Sequence, residues 1–445
     1  MEPAADSFLH RRIVYPFQEF GNVMSRGGTL VVVVALLALA WLNSPWGASY
    51  FQVWHTPLTV SFGGTTLAKP LLFWVNHALM ALFFLVITLE LKRLFRTGEL
   101  AAFRTAAFPV AAALGGMAVS AGLYLYMNEG LSSERGWTVP MATDVTAALA
   151  VLAVFGQRLS LSLRLFLSAV TILQTILALL LTIVLYTSIA NLLSLSVGTG
   201  IFGLLVVLRA LRNRSMWLYL LLGLAMWGAF LVAGVNGAVA GVLLALVIPV
   251  HARVDEEDFI TSADTVLGEL HALKMVKFPG PGEELEEEYQ ATVHTLRANC
   301  NRALSPLRKL LHQLLPWAAY AVLPLFALAN AAFAYNSFEL QELGSPVALG
   351  IFLGLVLGKP LGVLLFAGLA TLVRLTDKPT DVSWLQVAGA GMLAGIGFTM
   401  SLFMALEVWG ESQPMTILKI SLYGASALAA ILGAILVAFS NRASR

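Results

Sequence analysis

The stretch "VPMATDVTAAL" (Val139–Leu149) puts a carboxylic acid, Asp144, inside a run apolar enough to lie within a bilayer. Upstream, Pro140 removes a backbone donor from any helix built there, and Thr143 and Thr146 flank the acid with hydroxyls. A helix that breaks here exposes backbone N–H and C=O groups at membrane depth, where only protein groups or a water-lined cavity satisfy them. The stretch therefore predicts an interrupted membrane span with a charge at the interruption.

The surrounding chain is of the same kind. Of its 445 residues 58% are hydrophobic and 12% charged, against roughly 25% charged in soluble domains. Apolar runs near 28–44, 70–91, 105–127, 138–156, 162–187, 190–208, 216–233, 235–250, 313–334, 347–373, 384–408 and 416–438 approach or exceed the roughly 20 residues that cross a hydrocarbon core of about 30 Å. The predicted class is an all-α polytopic membrane protein of about 12 transmembrane helices, since nothing alternates like a membrane β-barrel. One cysteine, Cys300, excludes an internal disulfide, and residues 1–27 lack a signal-peptide pattern. No HExxH, GxSxG or phosphate-loop motif occurs, so an enzyme or ATP-driven pump is disfavoured and no cofactor is expected.

Charge placement orients the spans. With both termini cytoplasmic, 23 of the 27 Lys and Arg residues fall in inner segments; Lys69 and Arg135 lie outside, and Lys359 and Lys419 within spans. The positive-inside rule then predicts a multi-pass membrane protein with both ends cytoplasmic; a bacterial inner (plasma) membrane is the expected location, and no nucleic-acid partner is expected. Residues 1–250 carry spans one to eight, and 313–445 carry spans nine to twelve with a short tail. The segment 251–312 is an amphipathic, acidic cytoplasmic insert with 11 acids and 7 bases, including "EELEEEY" (283–289) after a "PGPG" break (279–282). A pair of solvated helices is the plain expectation for it, a regulatory flap the sharper one. His271 and His294 are too far apart in sequence to suggest a metal site.

Among the acids, Asp144 alone is expected at real depth, and Lys359 in "LVLGKPLGV" (355–363) is its basic counterpart. An ionisable group at such depth marks function or a structural ion pair. Span eleven has its own weak point in "GAGMLAGIGFTMS" (389–401), where Gly389, Gly391, Gly395 and Gly397 precede Thr399. Broken helices point positive N-terminal and negative C-terminal ends into the membrane, and Asp144 and Lys359 are placed to balance them. Glu90 ends span two. Glu407 lies about ten residues beyond the glycine break, roughly 15 Å along a helix, and reads as an interfacial, snorkelling acid.

"MATDVTAALAVLAVFG" (141–156), "LGKPLG" (357–362) and "GIGFTMS" (395–401) resemble signatures of the NhaA-type sodium/proton antiporters. "GGTLVVVVALLALAWLNSP" (27–45), "LMALFFLVITLELKR" (79–93) and "PWAAYAVLPLFALANA" (316–331) are similar too, so the likeness covers nearly all the chain except most of the insert. The resemblance implies twelve helices with inverted repeats, broken spans four and eleven crossing at mid-membrane, and broken-span backbone at Pro140, Gly395, Gly397 and Thr399. It implies transport roles for Asp144, with Thr143 beside it, and for Lys359. Asp144 is then the residue to hold sodium or lithium.

The same resemblance exposes departures. The two adjacent aspartates of span five in that family are replaced by Gln174 and Thr175. Thr171, Gln174, Thr175, Ala178 and Thr182 share one helix face, so the position stays polar without titrating. The family's Asn-Asp on span two reads Asn76-His77, and its histidine near span eight reads Asn236 in "AGVNGAVAG" (233–241). An amide and a hydroxyl bind sodium weakly and release no proton in the working pH range. The expected function is monovalent cation:proton exchange serving pH and sodium homeostasis, with altered coupling and with the bilayer and, by analogy, a second copy of the chain as partners. The alternatives are a same-fold transporter of another solute and a non-transporting scaffold or sensor.

Overall fold

The computed structural model describes residues 15–62, 65–97, 100–211, 213, 215–250, 256–275, 283–303, 305–335, 340–410 and 415–443. Among them, nine helices are long and apolar enough to cross a membrane; two further pairs of helices are bent at short breaks, and the apolar helix Ala238–Val247 is shorter. These correspond to the twelve runs. Span one is Tyr15–Leu42, span two Leu71–Arg96, span three Phe103–Asn128, span five Leu161–Tyr186, and span six Leu192–Ala210. Span seven is Met216–Ala233, span eight Ala238–Val247, span nine Pro306–Asn330, span ten Pro346–Leu372, and span twelve Met415–Ala443. Span four is a 3₁₀ stretch, Ser132–Met141, bent by 42° from Val145–Ala153; span eleven is Trp384–Leu393 bent by 49° from Phe398–Trp409.

Some local features depart from a plain bundle. Between spans one and two lie the helix Gly47–His55 and an antiparallel hairpin, β1 (Pro57–Phe62) and β2 (Thr65–Pro70), which pairs Val60 with Leu67. Along β1, Leu58, Thr59, Val60, Ser61 and Phe62 alternate apolar and hydroxyl residues, which suits a paired strand. Span nine starts at Pro306 rather than near 313, because Ser305 accepts from the Arg308 N–H and Pro306 opens the helix. The helices Glu256–Met275 and Glu283–Ala303 occupy the insert and pack on each other; the "PGPG" break lies outside the described residues.

Three spans widen into π-helical turns: Val75–Leu79, Ala318–Val322 and Gly354–Gly358. In the last two a proline follows directly or nearly so, Pro324 and Pro360. Proline has no N–H and its ring crowds the carbonyl four residues back, which in each case belongs to the widened turn. Lys359 thus leaves span ten at the edge of a π-turn rather than from a regular helix.

Spans three and ten make the most extensive contact in the bundle. A Cβ on Gly115 would sit 2.3 Å from the Gly362 carbonyl oxygen, and one on Gly362 would sit 2.1 Å from that of Gly115. In a bilayer apolar side chains gain little by leaving lipid, so close backbone packing through small residues drives such contacts. It is this approach that carries Lys359 into the interior.

Candidate ion-binding site

The two breaks lie against each other. Asp144 N–H donates to the Ile396 carbonyl at 2.7 Å, and the Ser401 hydroxyl reaches the Ala142 carbonyl at 3.4 Å. Gly395 fits because a Cβ there would come within 2.4 Å of the Leu355 carbonyl oxygen, and Gly397 opens the second helix of span eleven. Pro140 is buried in the 3₁₀ half of span four, against Gly354 of span ten.

Asp144 is 1% exposed and caps two helices at once. Its Oδ1 accepts from the Thr146 and Ala147 N–H groups at 3.0 Å each and from the Thr146 hydroxyl at 2.6 Å. Its Oδ2 accepts from the Thr399 N–H at 3.1 Å and from the Thr399 hydroxyl. The carboxylate therefore faces the positive ends of Val145–Ala153 and Phe398–Trp409 together, a favourable place for a negative charge.

Lys359, fully buried, lies on the other side of the crossing. Its ammonium donates to the Met141 carbonyl, to Thr143 Oγ1 at 2.9 Å and to Gln174 Oε1 at 2.8 Å. Met141 ends the 3₁₀ half of span four, so the cation meets the negative end of that segment. Among the described residues no ion pair joins Lys359 to Asp144. All three ammonium protons are spent on neutral oxygens, which offsets part of the cost of burying the charge.

Gln174 and Thr175 hold this cradle together. Gln174 Oε1 also lies 2.7 Å from Thr143 Oγ1, and its Nε2 donates to the Ala113 carbonyl at 3.3 Å. Thr143 Oγ1 is 2.7 Å from the Ala394 carbonyl at the end of the first half of span eleven. The Thr175 hydroxyl bridges the carbonyls of Thr143 and Thr171. The structure thus brings together Asp144, Lys359, Thr143, Gln174, Thr175 and Thr399, and adds backbone carbonyls of Met141 and Ala394 that no side-chain pattern reveals. Chemically, the arrangement is a saturated carboxylate beside a set of neutral oxygens already holding one cation. Among the described residues there is no group of three or more His, Cys, Asp or Glu side chains able to hold a metal.

Glu407 departs from the snorkelling expectation. Its carboxylate turns inward and accepts from Asn236 Nδ2, on the loop before span eight. The partner is 171 positions away in sequence, and no local signal announces the contact.

A family model described as Na+/H+ antiporter 1 matches residues 18–437. A Na(+)/H(+) antiporter NhaA of Koribacter versatilis is 37% identical over 425 residues, 96% of this chain and 91% of that protein. The Na(+)/H(+) antiporter NhaA of Rhodospirillum rubrum is 37% identical over 421 residues, covering 93% of this chain and 95% of its own. That of Helicobacter pylori is 37% identical over 423 residues, 94% of each chain.

Proposed function

The chain belongs to the Na+/H+ antiporter 1 family, and on that premise we propose that it exchanges sodium or lithium for protons, with Lys359 as the proton carrier. The observation that carries the coupling is the cradle of Met141 O, Thr143 Oγ1 and Gln174 Oε1 around the Lys359 ammonium. Hard monovalent cations take oxygen ligands of this kind. An ammonium that gives up its proton no longer needs these oxygens, and they become ligands for the transported ion, with the Asp144 charge close by. One proton leaves for each ion bound, so the charge at the crossing stays constant. Gln174 and Thr175 supply or position neutral oxygen where a titrating pair would compete with the lysine for the proton.

The distribution of basic residues supports cytoplasmic termini and a cytoplasmic insert in a bacterial inner membrane. The test is cation-driven dissipation of a pH gradient in vesicles lacking other antiporters. Exchange by the natural protein, lost in Asp144→Asn and in Lys359→Gln, is the expected result. Silence in the natural protein, with exchange gained on installing Gln174→Asp and Thr175→Asp, would refute the proposal and leave an antiporter frame with a different task.

A further inference from the structure

A groove of about 550 Å³ opens between spans one, four and twelve, with the break of span eleven in its floor. Span one presses on span four at Gly28, where a Cβ would come within 2.3 Å of the Thr146 carbonyl oxygen. Beyond that contact Ala35 of span one, Ala147 and Ala150 of span four, and Ala427 and Ala430 of span twelve are too short to close the space. Val33 and Leu36 are exposed along its open side, whereas Ala147 and Ile396 are buried. The polar side chains at its edge are engaged within the protein. The Thr29 hydroxyl donates to the Ser25 carbonyl at 3.2 Å, the Tyr423 hydroxyl donates to the Ala331 carbonyl at 2.9 Å, and Ser426 Oγ accepts from the Phe398 N–H at 3.1 Å. An apolar space lined in this way stays dry. Phe398 completes the floor, with its ring centroid 5.3 Å from that of Tyr423 and a φ of 23°, a value rare outside glycine. It opens the helix whose next residue, Thr399, donates to Asp144.

We propose that one acyl chain of a bilayer lipid occupies this groove and serves as the yielding wall behind the break of span eleven. The occupant follows from place and size. The walls belong to membrane spans, so hydrocarbon is what meets the open side. From Gly28 to Leu39 the groove follows span one for about 16 Å, close to the roughly 15 Å of one leaflet's hydrocarbon. A helix of a second copy, about 10 Å across, would need roughly twice the volume over that length. Left empty, the groove would deprive its lining of dispersion contacts on one side. A lipid tail restores them without the fixed, dense packing of a protein interior. A shift of Phe398 that carries Thr399 relative to Asp144 then displaces liquid hydrocarbon rather than a locked side chain. Backbone strain of the kind held at Phe398 persists only where the surroundings enforce it, and it is relieved when the segment moves. The effect on exchange rests on the antiport reading above; the presence of the chain does not.

The test places the full-length protein in vesicles of phosphatidylethanolamine and phosphatidylglycerol that contain a phospholipid with a diazirine on its acyl chain. After illumination, peptide mass locates the adducts. Adducts are expected on the floor, at Ala147, Ile396 or Phe398, besides those collected by exposed side chains such as Leu204 of span six and Leu221 of span seven. Ala150→Leu combined with Ala427→Leu should abolish the floor adducts and leave those on spans six and seven unchanged. Because fixed side chains then fill the space, exchange should slow several-fold while the melting temperature in detergent holds or rises. A floor without adducts in the natural protein, whether a second copy or nothing covers it, would overturn the site, and so would floor adducts that persist in the double variant. The first of these readings needs no variant, so it decides the site even if the double variant folds poorly. Exchange at the natural rate in a well-folded double variant would overturn the role of the chain at the break. If the natural protein exchanges nothing, the antiport reading fails and the labelling alone decides whether the site exists.

Discussion

Gln174 Oε1 lies against the donor-only Lys359 ammonium, so Nε2 is left for the Ala113 carbonyl; the amide's orientation follows from its partners. This explains an amide in a run of leucines. It supplies an acceptor to a cation and a donor to span three, which a hydrocarbon side chain of the same size cannot do. Gln174→Glu would place a carboxylate against Lys359 and hold its proton more firmly. Exchange in that variant should therefore need more alkaline conditions, measured as a displacement of the activity profile to higher pH. Gln174→Leu, in contrast, deprives a buried ammonium of one acceptor and should cost about 1–3 kcal/mol in stability, read as earlier thermal unfolding in detergent.

At the scale of elements, the breaks were legible from Pro140, Asp144 and the Gly395–Gly397 pair, because a proline, a buried acid and paired glycines each work against a continuous helix in an apolar run. The 3₁₀ form of the first half of span four was not legible, since the pattern of apolar residues does not distinguish it from an α-helix. The hairpin at Pro57–Pro70 did carry a signal, alternating residues in Leu58–Phe62 ahead of Gly63-Gly64, but in a short outer loop it reads as connection. The π-turn at Val75–Leu79 was hidden too, because no proline follows it to announce the widening. The contact between spans three and ten has little room to give: Gly362→Ala forces a Cβ into the Gly115 carbonyl. It should destabilise by about 1–3 kcal/mol, and exchange should fall with it, because the same contact seats Lys359. A melting curve together with the vesicle assay checks this.

For the whole molecule, the all-α membrane architecture followed from length and apolarity alone, whereas the site required contacts between residues far apart in the chain, such as Lys359 with Met141 or Glu407 with Asn236. Sidedness is testable without engineering, because Cys300 is the sole cysteine and is exposed on the helix Glu283–Ala303. A membrane-impermeant maleimide should modify it in inside-out vesicles and leave it untouched in right-side-out ones. The reverse pattern would invert the topology. The oxygens around Lys359 bear on leakage as well. Under the proposed exchange, the ammonium is a tethered ion that no dilution washes out: when sodium is scarce the lysine takes its proton back and refills the cradle, which keeps scarce the vacant form through which protons would leak downhill.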